Sequence, residues 1–389
     1  MQLRLRTRSW IACAIAAVVA AASLAGAPRA EGAVTRDALE RKVRSQLRSF
    51  AGWLTDQGAR GYVGEIGWPD DFRGEATEWN RLARGWFEVA ADHDLWVSSW
   101  ATGEWWDDYR LAIYESDRDA QTVDQRNSQA EVLEAAAAAG GMKIGINANG
   151  GEFGAPVSAK TSSFSNKNPG AYNTRYHYDR QGTFDFLARR GVGHVRIPFR
   201  WERIQPRPGG PLNDEEVRRL RGAVGRAWKA GLRSILDVHN YGAYYLHVNG
   251  RGVRTPIGSP RLKISDFADL WKRLSRAFKS DQRVAMYALM AEPFGMPRVD
   301  GLTPAKVWER ASQRALNAIR RNGDDRLVAV PGYGWDALQV FMKKHKNAWI
   351  KDRANSSVYE VHHYWDRNYS GDYSRSYADE VEAAERSGW

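Results

Sequence analysis

Residues 184–199 read FDFLARRGVGHVRIPF. FDFLARRG has helical spacing and stops at a glycine, and HVRIPF is a short apolar run suited to a strand. The same unit recurs downstream. A helix around 214–230 leads to RSILDVHN (233–240), one around 265–279 to VAMYALMAEP (284–293), and one around 305–321 to RLVAVPG (326–332). SVYEVHHY (357–364) is followed by a final helical stretch, YADEVEAAERSG. Upstream, a helix from Ala38 to Leu54 precedes GYVGEIGWP (61–69), and a helix across 76–92 precedes LWVSSW (95–100). Ser128 to Ala139 is alanine-rich and helical, and a short strand from Lys143 opens into a long loop reaching Gly170. Strands near 61, 95, 143, 194, 234, 285, 327 and 357 make eight, separated by helices, so the sheet is parallel. Eight alternating units without a glycine-rich phosphate loop favour a closed (β/α)8 TIM barrel over an open doubly wound sheet.

Composition narrows the function. The 389-residue chain has a net charge of +11, but its basic residues are spread along its length rather than gathered on one module, so no nucleic-acid partner is expected. Aromatic residues make up 12%, with 17 Trp, many in loop-like contexts such as EWWDDY and YGWDAL. That excess suits a cleft that stacks flat, weakly charged rings such as sugars. The first 33 residues have the order of a secretory leader: Arg4, Arg6 and Arg8, an apolar run from Ile11 to Ala25, then small residues. Cleavage after Ala27 or Ala33 would remove the only cysteine, Cys13, and with it disulfides, cysteine nucleophiles and Cys-ligated metals. The expectation is a secreted, extracellular protein without stable membrane insertion, with residues 34–389 forming one catalytic barrel.

Barrel chemistry gathers at the C-terminal ends of the strands. Glu65, Trp100, Arg196, His239, Glu292, His362 and Tyr364 all fall at or near such ends. Glu65 and Glu292 each follow an apolar strand and would face a common opening. Glycoside hydrolysis needs such a pair, one carboxyl protonated to assist the leaving oxygen and one ionised. A His/His/Glu zinc set drawn from His239, His362 and His363 is the competing idea. Adjacent His362 and His363 point to opposite faces of a strand, and no HExxH motif is present, so neither metal nor cofactor is expected.

The segments GGEFG (150–154), YHYDRQGTFDFLARRGVGHVRIPFRWERIQP (176–206), LDVHNYGAYY (236–245), YALMAEP (287–293), VPGYGW (330–335) and YEVHHYWD (359–366) resemble, in order, the first six strand regions of a glycoside hydrolase family 5 enzyme of the cellulase type. GYVGEIGWP looks like that family's seventh strand, and WVSSWATGEWWDDYRLAIYE (96–115) like its eighth. The resemblance therefore implies a circular permutation. Residues 34–116 carry family strands seven and eight, 117–142 form the joint, and 143–389 carry strands one to six.

Carried over residue by residue, the resemblance makes Glu292 the general acid/base and Glu65 the nucleophile. Arg196 would orient the nucleophile, His239 would bind sugar or join the charge network, and His362 with Tyr364 would support the acid/base and the nucleophile respectively. Trp100 resembles the aromatic platform at the cleavage subsite, and Trp201, Trp105, Trp106 and Trp335 are cleft-wall candidates. Two positions depart from the pattern. Ala291 replaces the asparagine that would donate to the sugar 2-hydroxyl, and Tyr333 stands where an asparagine is common. The implied function is a retaining β-glycan endohydrolase acting as a monomer on a β-linked polysaccharide or oligosaccharide, β-1,4-glucan first. Hydrolysis or transglycosylation of another β-glucan or β-mannan, and a weakened carbohydrate-binding protein, remain as alternatives.

Overall fold

Eight parallel strands alternate with helices where the sequence pattern requires them. The strands are β1 (Gly61–Ile66), β2 (Trp96–Thr102), β3 (Ile144–Ala148), β4 (His194–Phe199), β5 (Arg233–Val238), β6 (Val284–Ala288), β7 (Leu327–Pro331) and β8 (Ser357–His362). Each pairs in parallel with its neighbours in chain order, and β1 pairs with both β8 and β2, so the sheet closes into a (β/α)8 barrel. This computed structural model describes residues 36–106, 108–116 and 121–389. The leader expected over 1–33 lies outside the described residues, as do 117–120 of the expected joint.

The helices are α1 (Ala38–Asp56), α2 (Ala76–Asp92), α3 (Ala130–Gly140), α4 (Gln181–Arg189), α5 (Asp214–Lys229), α6 (Ile264–Phe278), α7 (Pro304–Arg321), α8 (Leu338–Lys344) and α9 (Tyr377–Arg386). Their starts follow local chemistry. Asp37, Asn213, Thr303 and Ser376 each accept backbone N–H groups of the first turn, and Pro304 follows Thr303 where no N–H is needed. The ring packs through large side chains such as Trp86, Trp271 and Trp308, all fully buried. Among the described residues, no helix is long and apolar enough to cross a membrane.

The barrel interior holds Tyr62, Ile235, Met286, Ala288, Ala329 and Val358 as one apolar cluster. Beside it the Tyr62 hydroxyl meets Ser98 Oγ at 2.7 Å, which meets His194 Nε2 at 2.8 Å. Strict alternation with Tyr62 inward would turn Glu65 outward. Instead the β1/β8 register shifts between Val63 and Glu65, and this bulge turns Glu65 back toward the interior. Gly64 is required there, because a Cβ on it would lie 2.1 Å from Glu360 Oε1.

Short pieces without helical or strand periodicity of useful length were not legible beforehand. Ala243–Val248 and Arg251–Pro256 form a hairpin joined by Thr161–Ser162, which places strand inside the long loop expected before Gly170. Tyr114–Glu115 and Gln125–Arg126 pair beside β2. A four-residue helical turn, Trp201–Ile204, follows β4.

Candidate active site

One guanidinium organises the floor of the site. Arg196, pointing inward from β4, donates from Nη1 to Glu65 Oε1 at 2.9 Å and to Asn147 Oδ1 at 2.8 Å. Its Nη2 donates to Glu360 Oε1 at 3.2 Å and lies 3.1 Å from Asp237 Oδ1. Burial opposes the Arg196 charge, but Asp237, Glu360, Tyr62 and Glu65 outweigh it and hold its pKa well above the usual value. Glu360 is pushed up to about 8 by burial, against the pull of Arg196.

Above this floor sit the two carboxylates singled out from the sequence. Glu65 Oε2 accepts the Tyr364 hydroxyl proton at 2.8 Å and lies 3.3 Å from His362 Nδ1. Glu292 Oε1 lies 2.9 Å from the same Nδ1. Carboxylate oxygens of the two glutamates thus fall within 4.8 Å of each other. Burial raises both, but the remaining influences differ. Arg196, His239 and the Tyr364 hydroxyl pull Glu65 back down, whereas the Glu65 charge drives Glu292 well above the usual range. Environment thereby separates two chemically similar acids, one easier to ionise and one easier to protonate.

The structure brings together Glu65, Glu292, Arg196, His239, His362, Tyr364 and Trp100. His239 Nδ1 meets Asp237 Oδ2 at 2.7 Å and Nε2 meets the Tyr241 hydroxyl at 3.1 Å, while the Trp100 indole stacks 5.9 Å from the His239 ring. Trp100, Trp105 and Trp106 line a cleft of about 530 Å³ with Glu152, His239 and Tyr241. Trp105 is exposed and stacks on His177, and Trp106 stacks on Tyr109. Trp335, 38% exposed, lies flat on Phe294 at 3.6 Å beside Tyr241. His362 faces both glutamates, whereas His363 turns away to Trp86 and Gln46, as adjacent strand residues must.

Trp201 corrects the sequence reading. It is fully buried against Tyr244 and Phe267, with its indole N–H donated to Gln205, so it packs under the β4 loop and forms no cleft wall. Tyr333 is half-buried, and its hydroxyl accepts the Met296 N–H at 3.2 Å, bracing the loop after β6. Ala291 is fully buried; its N–H donates to the Val238 carbonyl and its carbonyl accepts from Tyr241 N–H.

Strand-end reasoning missed Asp237, Glu360, Asn147 and Asp336. Asp237 and Glu360 each precede a named histidine by two residues, so strand alternation alone would have placed them on the site face. Asp336 carries no such signal. It comes from the loop after β7 to accept the Glu292 N–H at 2.9 Å on Oδ2 and the His362 N–H at 2.7 Å on its carbonyl.

Comparison with known proteins agrees with the barrel. The family described as Cellulase (glycosyl hydrolase family 5) matches residues 147–388. The chain belongs to this family. Among relatives of this family 5 chain, the manganese dependent endoglucanase Eg5A of Phanerodontia chrysosporium is 26% identical over 206 residues, 51% of this chain and 50% of that protein. Endo-β-1,4-glucanase B of Aspergillus niger is 27% identical over 230 residues, covering 59% and 60%. The chain thus spans between half and three fifths of the length of these relatives. Among solved structures, the endo-β-1,4-glucanase Xac0029 of Xanthomonas axonopodis pv. citri is similar with a TM-score of 0.50 and 31% identity, over 62% of this chain and 72% of that one. The endoglucanase Cel5A of Pseudomonas stutzeri is similar with a TM-score of 0.50 and 30% identity, over 62% and 69%.

Proposed function

We propose that this family 5 chain is a secreted, retaining β-glycan endohydrolase with β-1,4-glucan as its first substrate, Glu65 as nucleophile and Glu292 as acid/base. The observation that carries the reading is the closeness of the two glutamates, whose oxygens lie within 4.8 Å and share His362 Nδ1. Retaining enzymes hold their carboxyl groups about 5–5.5 Å apart, whereas inverting ones leave about 6.5–9.5 Å for a water.

In the first step a Glu65 oxygen attacks the anomeric carbon and the glycosidic C–O bond breaks. The Glu292 proton goes to the departing oxygen. In the second step the Glu292 carboxylate takes a proton from water, whose oxygen attacks the same carbon and releases Glu65. Arg196 and Tyr364 direct Glu65, and Trp100 offers its face to the sugar ring. The methyl group at Ala291 cannot donate to a sugar 2-hydroxyl.

The order of the chain supports the permutation. The family match begins at residue 147, inside β3, while β1 with Glu65 and β2 with Trp100 precede it and close the barrel between β8 and β3. The test is product release by the leaderless protein on soluble β-glucans and β-mannans, beside Glu65→Gln and Glu292→Gln. Cleavage of one polymer, silent in both variants, is the expected result. Turnover that survives both substitutions would overturn the assignment and favour a carbohydrate-binding role.

A further inference from the structure

Behind His362 lies a polar gap that the reacting carboxylates do not explain. Its Nε2 faces Asp336 Oδ2 at 3.7 Å and Glu360 Oε1 at 3.7 Å, and all three side chains are sealed from solvent. Nε2, Asp336 Oδ1 and Glu360 Oε2 are buried without a hydrogen-bond partner. In front, Nδ1 reaches Glu292 at 2.9 Å and Glu65 at 3.3 Å. Burial, with Arg196 and His239 nearby, holds His362 well below its usual pKa, so the neutral ring carries one proton on one nitrogen.

The two tautomers have opposite consequences. With the proton on Nε2, the Nδ1 lone pair would draw the Glu292 proton toward His362 and away from the leaving group. With the proton on Nδ1, the ring donates to Glu292 Oε1 or Glu65 Oε2, and the acid proton stays free on Glu292 Oε2. The second arrangement requires a donor behind Nε2. Glu360 is tied to Arg196 on the floor, whereas Asp336 also touches Glu292 and the His362 main chain, which places it to be that donor.

We propose that Asp336 is a positioning residue that presents a proton to His362 Nε2 and thereby holds the imidazole in the Nδ1–H tautomer that serves Glu65 and Glu292 in turn. The proposal rests on the reading of those two glutamates as the reacting pair. Asp336 also fixes both partners by main-chain contacts, to the Glu292 N–H and the His362 N–H. Burial above all, among the neighbouring carboxyls of Glu360 and Glu292, drives Asp336 well above the usual carboxylate range, as a proton donor needs. The 3.7 Å gap exceeds hydrogen-bond length by about 0.5–1 Å, a distance that a small side-chain rotation closes. When Glu65 loses its charge to the glycosyl bond and Glu292 gains one, the Nδ1–H turns from the first to the second. No proton leaves the ring.

The test is long-range ¹⁵N–¹H correlation on the unliganded, ¹⁵N-histidine-labelled protein at neutral pH, with the His362 signals identified by their loss in His362→Gln. A bare Nε2 and a protonated Nδ1 are expected in the wild type; Nε2–H there overturns the proposal without recourse to any variant. Asp336→Ala should shift the ring toward Nε2–H and lower kcat about 10- to 100-fold with KM nearly unchanged, at or below the low end of what general acid–base assistance contributes. Asp336→Asn, which suits the left-handed φ of 52° at this position, can keep the Glu292 N–H on its carbonyl oxygen and turn its amide to Nε2, and should restore the tautomer and part of kcat. An unchanged tautomer in Asp336→Ala, or equal loss in both variants, would refute it. Because the spectrum needs no substrate, a wild type that shows Nδ1–H yet cuts no β-glucan supports the positioning role and rejects the substrate reading.

Discussion

At the scale of single residues, Arg196 ties together the floor of the site. It is fully buried and neutralises a floor that includes Glu65, Asp237 and Glu360. Arg196→Met should destabilise the fold by about 3–5 kcal/mol, because breaking a buried ion network leaves uncompensated carboxylates behind. Urea unfolding at neutral pH measures the loss. Glu360 has its own signature. The unfolded chain ionises a glutamate near about 4.3, whereas the folded protein keeps Glu360 protonated up to about 8. In that window the folded state holds more protons, so this group's contribution to stability is fully present at the acidic end and is lost as pH rises through the window. Glu360→Gln should remove this part of the slope, and urea midpoints compared across pH for both proteins would show it. Activity should follow a related logic, since Glu292 is driven well above the ordinary range. The alkaline limb of kcat/KM should lie above that of an unperturbed carboxylic acid, and a limb in the ordinary range would contradict the environment described for Glu292.

At the scale of elements, β1 and β8 determine where the carboxylates meet. The β1 bulge and the absence of a side chain at Gly64 let Glu65 turn inward over the Glu360 carboxyl. Gly64→Ala should displace Glu360 and loosen the grip of Arg196 on Glu65, costing about 1–3 kcal/mol as overpacking does. Thermal unfolding together with kcat reads both effects. The loops after β6 and β7 meet in the Phe294–Trp335 stack beside Tyr241 at the mouth of the site. Trp335→Ala should raise KM on polymeric substrate more than it lowers kcat, as expected of a stacking surface remote from bond breaking. Steady-state kinetics on polymer and on short oligosaccharide separate the two effects.

At the scale of the whole molecule, the barrel closes where its first strand meets its last. β1 pairs with β8 on one side and β2 on the other, and α1 touches α9 through the Tyr377 hydroxyl, which donates to Asp37 at 2.7 Å. Moving residues 36–116 to follow Trp389 through a flexible linker should therefore yield the same barrel with the same carboxylate pair. Circular dichroism and product release on the rearranged chain test this. An unfolded product would count against the permuted reading.

Periodicity by itself determined the eight strands and their helical partners, and strand-end position singled out Glu65, Trp100, Arg196, His239, Glu292, His362 and Tyr364 as candidates. These were legible because each strand is a local apolar run and the polar residues lie in its second half or just beyond it, apart from Arg196 within β4. Asp237 and Glu360 were also within reach, two residues before named histidines. The burial of Trp201, the inward turn of Glu65 and the role of Asp336 were decided only by tertiary structure. Each depends on a neighbour far away in the chain: Tyr244 and Phe267 for the indole, β8 for the bulge, and Glu292 and His362 for the aspartate. Local spacing encodes which face a residue takes, but what stands opposite that face exists only once the barrel has closed.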